Sequence, residues 1–167
     1  GGVGEDISFD VKLQEKYDSK VWLIDPTKRA IRHYNDMKEY FITKDRNIIS
    51  GNIQKDYLTC IKDCRPNFDK MKYLDIGLYT CETNMKFYKQ TNHNYVSQTI
   101  VENMFGNSYD EVNMDSLKNI MCKQGHSKLD LLKLDIEGAE VDVLNQMLDD
   151  NIKPTYLLIE FDLLLKN

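Results

Sequence analysis

Residues 129–144 read LDLLKLDIEGAEVDVL, and this stretch decides the fold class. Leu129–Leu134 is a short apolar run of the kind that forms a strand buried in a parallel sheet. Gly138–Leu148 then predicts a helix, because its apolar residues recur at helical spacing. Those apolar positions are Val141, Leu144 and Leu148. A strand that passes directly into a helix at an acidic junction is the repeating unit of an α/β fold.

The same alternation continues towards both ends of the chain. Further strands are predicted at Val21–Ile24, Met71–Tyr79, Met85–Lys89 and Tyr156–Ile159. Further helices are predicted around Phe9, Leu13 and Tyr17; Ala30, Ile31, Tyr34 and Met37; Ile53, Tyr57, Ile61 and Cys64; and Leu117, Ile120 and Met121. Asp6 or Ser8 is expected to cap the first of these helices, Pro26 to lie in the first turn of the second, and residues 91–109 to form a polar loop. We expect one α/β domain over residues 1–167, with a mostly parallel sheet flanked by helices.

Composition excludes several classes of protein. The chain has 167 residues and a net charge of −5, which argues against nucleic acid as the main partner, because phosphate binding needs clustered Lys and Arg. No apolar run approaches the roughly 20 residues that cross a bilayer, so no membrane partner is expected. The cysteines (Cys60, Cys64, Cys81 and Cys122) and the histidines lack the spacing of a zinc site. We therefore expect a cytoplasmic protein with reduced thiols, whose oligomeric state the sequence leaves open.

Acidic side chains follow three of the predicted strands. These residues are Asp25, Asp135 and Glu160. In an open α/β sheet, ligands bind beyond the carboxyl ends of the strands. Asp25 also lies 21 residues after Gly4, close to the roughly 20 residues that separate a glycine turn from a ribose-binding carboxylate. Asp25 is therefore a candidate ribose ligand, although an N-cap ahead of Pro26 explains the same residue, and one residue can fill both roles.

A glycine-rich segment, Gly1–Asp6, is called the glycine turn below. Its glycines let the backbone bend tightly and let a ligand approach closely. The dinucleotide pattern G-x-G-x-x-G is incomplete, because Ile7 stands where the third glycine belongs. Glu5 and Asp6 would repel a pyrophosphate but tolerate a zwitterionic amino acid, such as the methionine part of S-adenosylmethionine. A glycine-rich tag left from expression, followed by a capped helix, would explain the same residues.

Motifs along nearly the whole chain resemble one known family. The signature of FkbM-type methyltransferases closely resembles Lys133-Leu134-Asp135-Ile136-Glu137-Gly138-Ala139-Glu140, followed by Val143-Leu144. The opening motif of one branch of that family is similar to Gly2–Asp10, and its D-P-T after the second strand is similar to Asp25-Pro26-Thr27. Weaker family positions match Ile76–Tyr79, Val96-Ser97 and Asp115–Leu117.

The resemblance implies a Rossmann-like class I methyltransferase fold, S-adenosylmethionine as the cofactor, and methyl transfer, usually to oxygen. The implied acceptor is a hydroxyl on a sugar or another small molecule. The family assigns the methionine part of the cofactor to the glycine turn, the ribose to Asp25 and the adenine to the segment around Gly77. The candidate cofactor-binding residues are Gly2, Gly4, Glu5, Asp6, Asp25, Pro26, Gly77, Leu78 and Asp135.

A hydroxyl acceptor needs help in losing its proton. We take Asp135 or Glu137 as the general base or as a hydrogen-bond partner of the acceptor, with Glu160 or Asp162 in reserve. Asp135 and Glu137 could instead hold a divalent cation, but two carboxylates alone are a weak signal, and no metal ligand is assigned.

The chain departs from the family in two ways. No complete strand precedes the glycine turn, so we expect the first strand to be missing, the domain to be incomplete at its N-terminus, and Gly1–Gly4 to be poorly held. In place of the family's His near the end of the fifth strand, the chain has Glu160-Phe161-Asp162. Two other functions stay open: a non-catalytic binding domain that keeps the fold, and a nucleotide-dependent oxidoreductase.

Overall fold

Helices and strands alternate along most of the chain. The computed structural model describes residues 1–51, 53–54, 56–89, 98–99, 109–136 and 138–161, and of residues 88–89 and 98–99 only the backbone. These residues group into two compact units, one formed by Val3–Asp75 and the other by Gly1–Gly2 together with Ile76–Asn167. We call them the N-terminal unit and the C-terminal unit.

The N-terminal unit is built around one parallel strand pair. Its described helices and strands are α1 (Ser8–Tyr17), β1 (Val21–Ile24), α2 (Lys28–Thr43), α3 (Tyr57–Ile61) and β2 (Met71–Leu74). β1 and β2 run parallel, from Val21 opposite Met71 to Ile24 opposite Leu74. The chain between them contains α2 and α3, because two parallel strands need a long crossover connection.

The core of the N-terminal unit joins all of its helices to β1. Its most completely buried apolar side chains are Ile7, Val11, Leu23, Ala30, Met37 and Ile61. Tyr34 and Met37 lie on the face of α2 that the sequence predicts to be apolar, and that prediction is confirmed. The apolar run that predicts β1 is also confirmed, since Val21, Leu23 and Ile24 are buried.

The buried face of α1 is not the predicted one. Phe9 and Tyr17 are exposed, whereas Ile7, Val11 and Gln14 are buried. Apolar residues occur at helical spacing on both faces of this helix, so periodicity alone could not choose between them.

The starts of two helices differ from the prediction. Neither Asp6 nor Ser8 is the cap residue of α1, because Ile7 occupies that position without a side-chain capping bond, although Asp6 accepts the Ser8 N–H at 2.7 Å. Pro26 lies before α2 and not in its first turn, because Thr27 is the cap residue and accepts the Ala30 N–H at 3.3 Å.

Two predicted elements of this region are shorter in the structure. The helix expected around Ile53–Cys64 is reduced to α3, and the strand expected at Met71–Tyr79 is broken at Asp75-Ile76. Its second half, β3 (Gly77–Tyr79), belongs to the C-terminal unit. An apolar run shows that a strand is favoured, but it does not show where the chain leaves one sheet for another.

The C-terminal unit contains two sheets. After β3, its described elements are β4 (Thr83–Lys89), β5 (Gln98–Thr99), β6 (Tyr109–Ser116), α4 (Leu117–Lys123), β7 (Leu131–Leu134), α5 (Glu140–Asp149) and β8 (Tyr156–Ile159). One sheet has the order β3-β6-β4-β5, and the other pairs β7 with β8. β3 is parallel to β6 and β7 is parallel to β8, whereas β4 is antiparallel to both β5 and β6.

The expected single, mostly parallel sheet is only partly present. Across the described residues the strands form three separate sheets, two of them parallel pairs and one mixed. β3 and β4 are joined by residues 80–82 alone, and so short a link reverses the chain direction, whereas a parallel connection needs about a dozen residues. The fold is therefore mixed α/β, and a Rossmann-like sheet stays an expectation.

Two further differences from the prediction lie in the C-terminal unit. The sequence does not predict β6, because acidic and amide residues surround the two inward apolar positions, Val112 and Met114. The buried face of α5 passes through Glu140, Val143 and Met147, and the predicted positions Val141 and Leu148 are exposed.

All four cysteines are free thiols, as the sequence predicts. In the part of the chain that the structure describes, no helix has the length and apolar character needed to span a membrane.

Met37 and Ile42 offer a direct test of how α2 packs. Met37 is completely buried, whereas Ile42 on the same helix is 77% exposed. Met37→Ala is expected to lower the free energy of unfolding by about 2–5 kcal/mol, because it leaves a cavity in the core. Ile42→Ala is expected to change it by less than about 0.5 kcal/mol. Equal losses for the two variants in urea denaturation would show that α2 does not bury this face.

Candidate functional site

Asp25 follows β1, and its buried carboxylate accepts four hydrogen bonds from the chain itself. Its Oδ2 accepts the N–H groups of Val3 at 2.8 Å and of Gly4 at 3.0 Å. Its Oδ1 accepts the N–H of Thr27 at 2.8 Å and the Thr27 hydroxyl at 2.6 Å. A carboxylate has about four lone-pair sites, so these donors saturate it. Asp25 therefore ties the glycine turn to the end of β1.

The predicted ribose role of Asp25 needs a free acceptor position on its carboxylate, which already accepts four hydrogen bonds. A ribose hydroxyl that bonds to the carboxylate must displace one of the four donors. The Thr27 bonds are local, and Thr27 also caps α2, so they belong to the start of that helix. The bonds from Val3 and Gly4 join residues 22 and 21 positions apart, and they are the ones that a ligand can replace. The N-cap role that the sequence left open for Asp25 belongs to Thr27.

Gly2 and Gly4 both have the left-handed backbone that glycine permits, with φ of +71° and +57°. A Cβ on Gly2 would lie 1.6 Å from the carbonyl oxygen of Asp135, so no side chain fits there. No described atom lies within 4 Å of a Cβ built on Gly4. Gly4 therefore borders open space, where a ligand can approach the backbone.

Gly1 lies beside the end of β7 as a parallel strand would. Its nitrogen donates to the Lys133 carbonyl oxygen at 2.7 Å, and its own carbonyl oxygen accepts the Asp135 N–H at 3.2 Å. With the bonds from Val3 and Gly4 to Asp25, four backbone atoms of this segment are hydrogen-bonded. The expectation that Gly1–Gly4 is poorly held is therefore wrong.

The two acidic residues of the glycine turn have different surroundings. The Glu5 side chain is 3% exposed, and its Oε2 lies 2.8 Å from Nη2 of Arg29, with Arg32 at 3.9 Å from Oε1. Asp6 is exposed and accepts the Ser8 N–H. The argument that the turn repels a pyrophosphate therefore applies to Asp6 and not to Glu5, because the charge of Glu5 is balanced by two arginines.

The acidic junction after β7 is organised by Glu140. Its Oε1 accepts the N–H of Ile136 at 3.0 Å, and both of its carboxylate oxygens accept the N–H of Gly138 at 3.1 Å. Glu140 is only 2% exposed. Glu140 therefore shapes the loop that carries Asp135 and takes up the backbone donors of that loop.

The predicted catalytic carboxylates differ in their exposure and in their bonding partners, and two of them are not described. Asp135 is 28% exposed at its side chain, and its Oδ2 lies 2.9 Å from Nζ of Lys133. Glu160 is exposed, and its N–H donates to the Leu134 carbonyl oxygen at 3.0 Å. Glu137 and the reserve residue Asp162 lie outside the described residues. Within the described ranges, no group of three or more His, Cys, Asp and Glu side chains could hold a metal ion.

The segment expected near the adenine is buried. Gly77 and Leu78 lie on β3 opposite Met114 and Asp115 of β6, and Leu78 is 2% exposed. In this conformation Leu78 offers little surface to an adenine ring. Tyr79, the last residue of this segment, packs against the cluster formed by Phe87, Val112 and Met114.

Asp115 joins β6 to α4. Its fully buried carboxylate lies 2.8 Å from Nζ of Lys123 and 2.9 Å from Nδ2 of Asn119, and it also accepts the Ser116 N–H. Burial raises the pKa of Asp115, but the hydrogen bonds from Lys123, Asn119 and Ser116 outweigh burial and hold it below its ordinary value. Asp115 bonds to each of the other three residues, so the motif at this position has a structural role.

The structure distributes the candidate residues over the two units. Gly4, Glu5, Asp6, Asp25 and Pro26 belong to the N-terminal unit, where Asp25 contacts Gly4 directly. Gly2, Gly77, Leu78, Asp135 and Glu160 belong to the C-terminal unit, where Gly2 contacts Asp135 directly.

Sequence reasoning missed a row of polar residues on α2, which we call the polar stripe. Its members are Arg29, Arg32, His33 and Asp36. Arg29 and Arg32 face Glu5, His33 bonds to Tyr57, and Asp36 accepts the N–H and hydroxyl of Ser50. The spacing i, i+3, i+4, i+7 is a detectable signal, because polar residues on one helical face next to an apolar one indicate a polar contact with another segment.

Glu140→Ala tests the role of Glu140 in the loop after β7. Two backbone N–H groups lose their acceptor, and we expect the free energy of unfolding to fall by about 1–3 kcal/mol. Hydrogen exchange of the Ile136 and Gly138 amides should also become faster. The control is Asp142→Ala, which changes an exposed acid in the first turn of the same helix. If the control accelerates exchange of these two amides as much, Glu140 does not hold the loop.

Comparison with known proteins gives one match. The model of the methyltransferase FkbM domain matches residues 69–165, from just before β2 to beyond β8. No curated protein and no solved structure matches the chain. The matched stretch is more than half of the 167 residues and includes Asp135, Glu140 and Glu160, whereas the glycine turn and Asp25 lie outside it. This chain belongs to the family of FkbM-domain methyltransferases.

Proposed function

We propose that this methyltransferase uses S-adenosylmethionine as its methyl donor and transfers the methyl group to a hydroxyl oxygen of a sugar or another small molecule. The observation that carries the proposal is the carboxylate of Asp25, which follows β1 and is bonded to the glycine turn. A carboxylate in this position suits a ligand that brings hydroxyl donors, as a ribose does.

The glycine turn does not suit a pyrophosphate. Binding of a phosphate group at such a turn depends on backbone N–H groups that point at the ligand. Here the N–H groups of Val3 and Gly4 bond to Asp25, and they become free only when a ribose displaces them. Asp6 then decides between the ligands, because its exposed carboxylate repels a pyrophosphate. This charge opposes the oxidoreductase alternative, in which a dinucleotide would place its pyrophosphate on the turn.

The same features fit S-adenosylmethionine. When its ribose hydroxyls bond to Asp25, Val3 and Gly4 lose their acceptor, and the carboxylate of an amino acid is a suitable replacement. The exposed carboxylate of Asp6 is the complementary group for an ammonium. Open space beside Gly4 leaves room for a ligand at the backbone.

Bound S-adenosylmethionine supplies an electrophilic methyl group on a sulfonium. The chain has to orient the acceptor and take its proton. Asp135 is the carboxylate we assign to this task, because it is partly exposed and lies on a loop that Glu140 holds in place. Glu137 remains the alternative to Asp135, with Glu160 or Asp162 in reserve.

Titration calorimetry with S-adenosylmethionine and with NAD tests the choice of cofactor. We expect binding of S-adenosylmethionine and none of NAD. Asp25→Asn should weaken binding by at least about tenfold, or 1.4 kcal/mol, because it replaces an acceptor oxygen with an amide donor. Asp63→Asn, at an exposed aspartate of the same unit, is the matched control and should bind as the unchanged protein does.

Transfer of a labelled methyl group to a panel of monosaccharides and small alcohols then tests the acceptor class. Binding of NAD alone would reject the cofactor, and an unchanged affinity of Asp25→Asn would remove Asp25 from the ribose site. Binding without transfer to any hydroxyl would favour the non-catalytic domain.

A further inference from the structure

Tyr57 supports the chain where the glycine turn passes into α1. Its hydroxyl oxygen accepts the N–H of Ile7, the residue directly after the turn, at 3.2 Å. This N–H is at the N-terminus of a helix, so it has no partner within the helix itself. Ile7 is completely buried and Tyr57 nearly so, which means that water does not compete for this bond.

The Tyr57 hydroxyl makes a second hydrogen bond, to His33. Its Nε2 lies 2.8 Å from the Tyr57 oxygen, and the two rings are 5.4 Å apart. His33 is completely buried, and its Nδ1 has no hydrogen-bond partner in the part of the chain that the structure describes. The methyltransferase chemistry proposed above uses neither residue.

Counting donors and acceptors determines the direction of the bond between Tyr57 and His33. If Tyr57 donates to Nε2, only the N–H at Nδ1 is left without a partner. If Nε2 donates to Tyr57, both Nδ1 and the hydroxyl proton are left without one. The Tyr57 hydroxyl therefore donates to neutral His33, and a lone pair of the Tyr57 oxygen accepts the N–H of Ile7.

Burial keeps both residues of the pair neutral. Burial lowers the pKa of His33, although Glu5 and Asp6 of the glycine turn and Asp36 of its own helix oppose that shift. Burial also raises the pKa of Tyr57, and the carboxylates of Asp6 and Asp10 act in the same direction. Arg29 and Arg32 lie on the same helix as His33 and balance Glu5.

We infer that Tyr57 and His33 are positioning residues that hold the glycine turn in the shape that binds the cofactor. The inference rests on the proposed function, because it assigns the turn to S-adenosylmethionine. Burying a polar pair costs desolvation free energy that an apolar pair would not cost. We therefore attribute the role of this pair to the conformation that it specifies and not to a gain in stability. That conformation is the entry of the turn into α1, one residue after Asp6.

The pair also makes this support depend on pH. A proton on His33 turns Nε2 into a donor, so the Tyr57 hydroxyl proton loses its acceptor and the bond to Ile7 is disturbed. Because the pKa of buried His33 lies below its ordinary value of about 6.5, the loss occurs as the pH falls below that value. Affinity for S-adenosylmethionine should therefore decrease on acidification.

Tyr57→Phe is the test variant, and Tyr34→Phe is its matched control. The control also removes a buried hydroxyl of the N-terminal unit, one that donates to the Met71 carbonyl oxygen at 2.8 Å. Hydrogen exchange of the backbone amides of residues 3–8 is the first measurement and needs no ligand. We expect faster exchange in Tyr57→Phe only. Equal acceleration in both variants would overturn the inference, because it would show a general loss of stability.

Binding of S-adenosylmethionine is the second measurement. We expect about tenfold weaker binding for Tyr57→Phe and less than about twofold for Tyr34→Phe. As the pH is lowered from 7.5 through and below the ordinary histidine pKa of about 6.5, the affinity of the unchanged protein should fall more steeply than that of His33→Gln. Equal affinities of the two Phe variants, or parallel pH profiles, would overturn the inference. If the unchanged protein does not bind S-adenosylmethionine, the proposed function fails, and the inference about the cofactor with it, whereas the exchange experiment still decides whether Tyr57 holds the turn.

Discussion

The glycine turn and the start of α2 depend on the hydrogen-bond donors that the buried carboxylate of Asp25 requires. Removing an unpaired charge from water costs several kcal/mol per ion, and Asp25 avoids that cost by bonding to Val3, Gly4 and Thr27. Those bonds connect the end of β1, the glycine turn and the start of α2 at a single side chain. Glu140 follows the same rule in the C-terminal unit, where its carboxylate holds the loop in front of α5.

Much of the fold could be predicted where one physical signal dominates. β1 and β8 are continuous apolar runs, β7 is an apolar run interrupted only by Lys133, and α2 has one clearly apolar face, so the positions of these elements follow from the sequence. The buried faces of α1 and α5 could not be predicted, because each helix has apolar residues on two faces and only the neighbouring elements choose between them. β6 could not be predicted, because its acidic sequence does not indicate a strand. It is a strand in the structure because it pairs with β3 and β4.

The candidate site could likewise be predicted only in part from the sequence. Asp25 could be singled out from its spacing to Gly4 and its place after a strand, and the family match supports the motif around Asp135. The sequence does not show which group each carboxylate bonds to, since those partners lie far along the chain or on long flexible side chains. Glu5 has its charge balanced by Arg29, and Glu140 turns back into its own loop. His33 and Tyr57 are 24 residues apart, so only the folded chain brings them together.

Gly2 and Gly4 are identical in chemistry but are constrained in different ways. Both have positive φ, but only Gly2 has a carbonyl oxygen where a side chain would begin. Asn and Asp tolerate the left-handed region better than other residues do, and the space beside Gly4 is open. Over evolutionary time, position 4 can therefore accept Asn, which would add a polar group to the open space beside this backbone. Position 2 has no such freedom, so two glycines only two residues apart in the same turn differ in the substitutions that they tolerate.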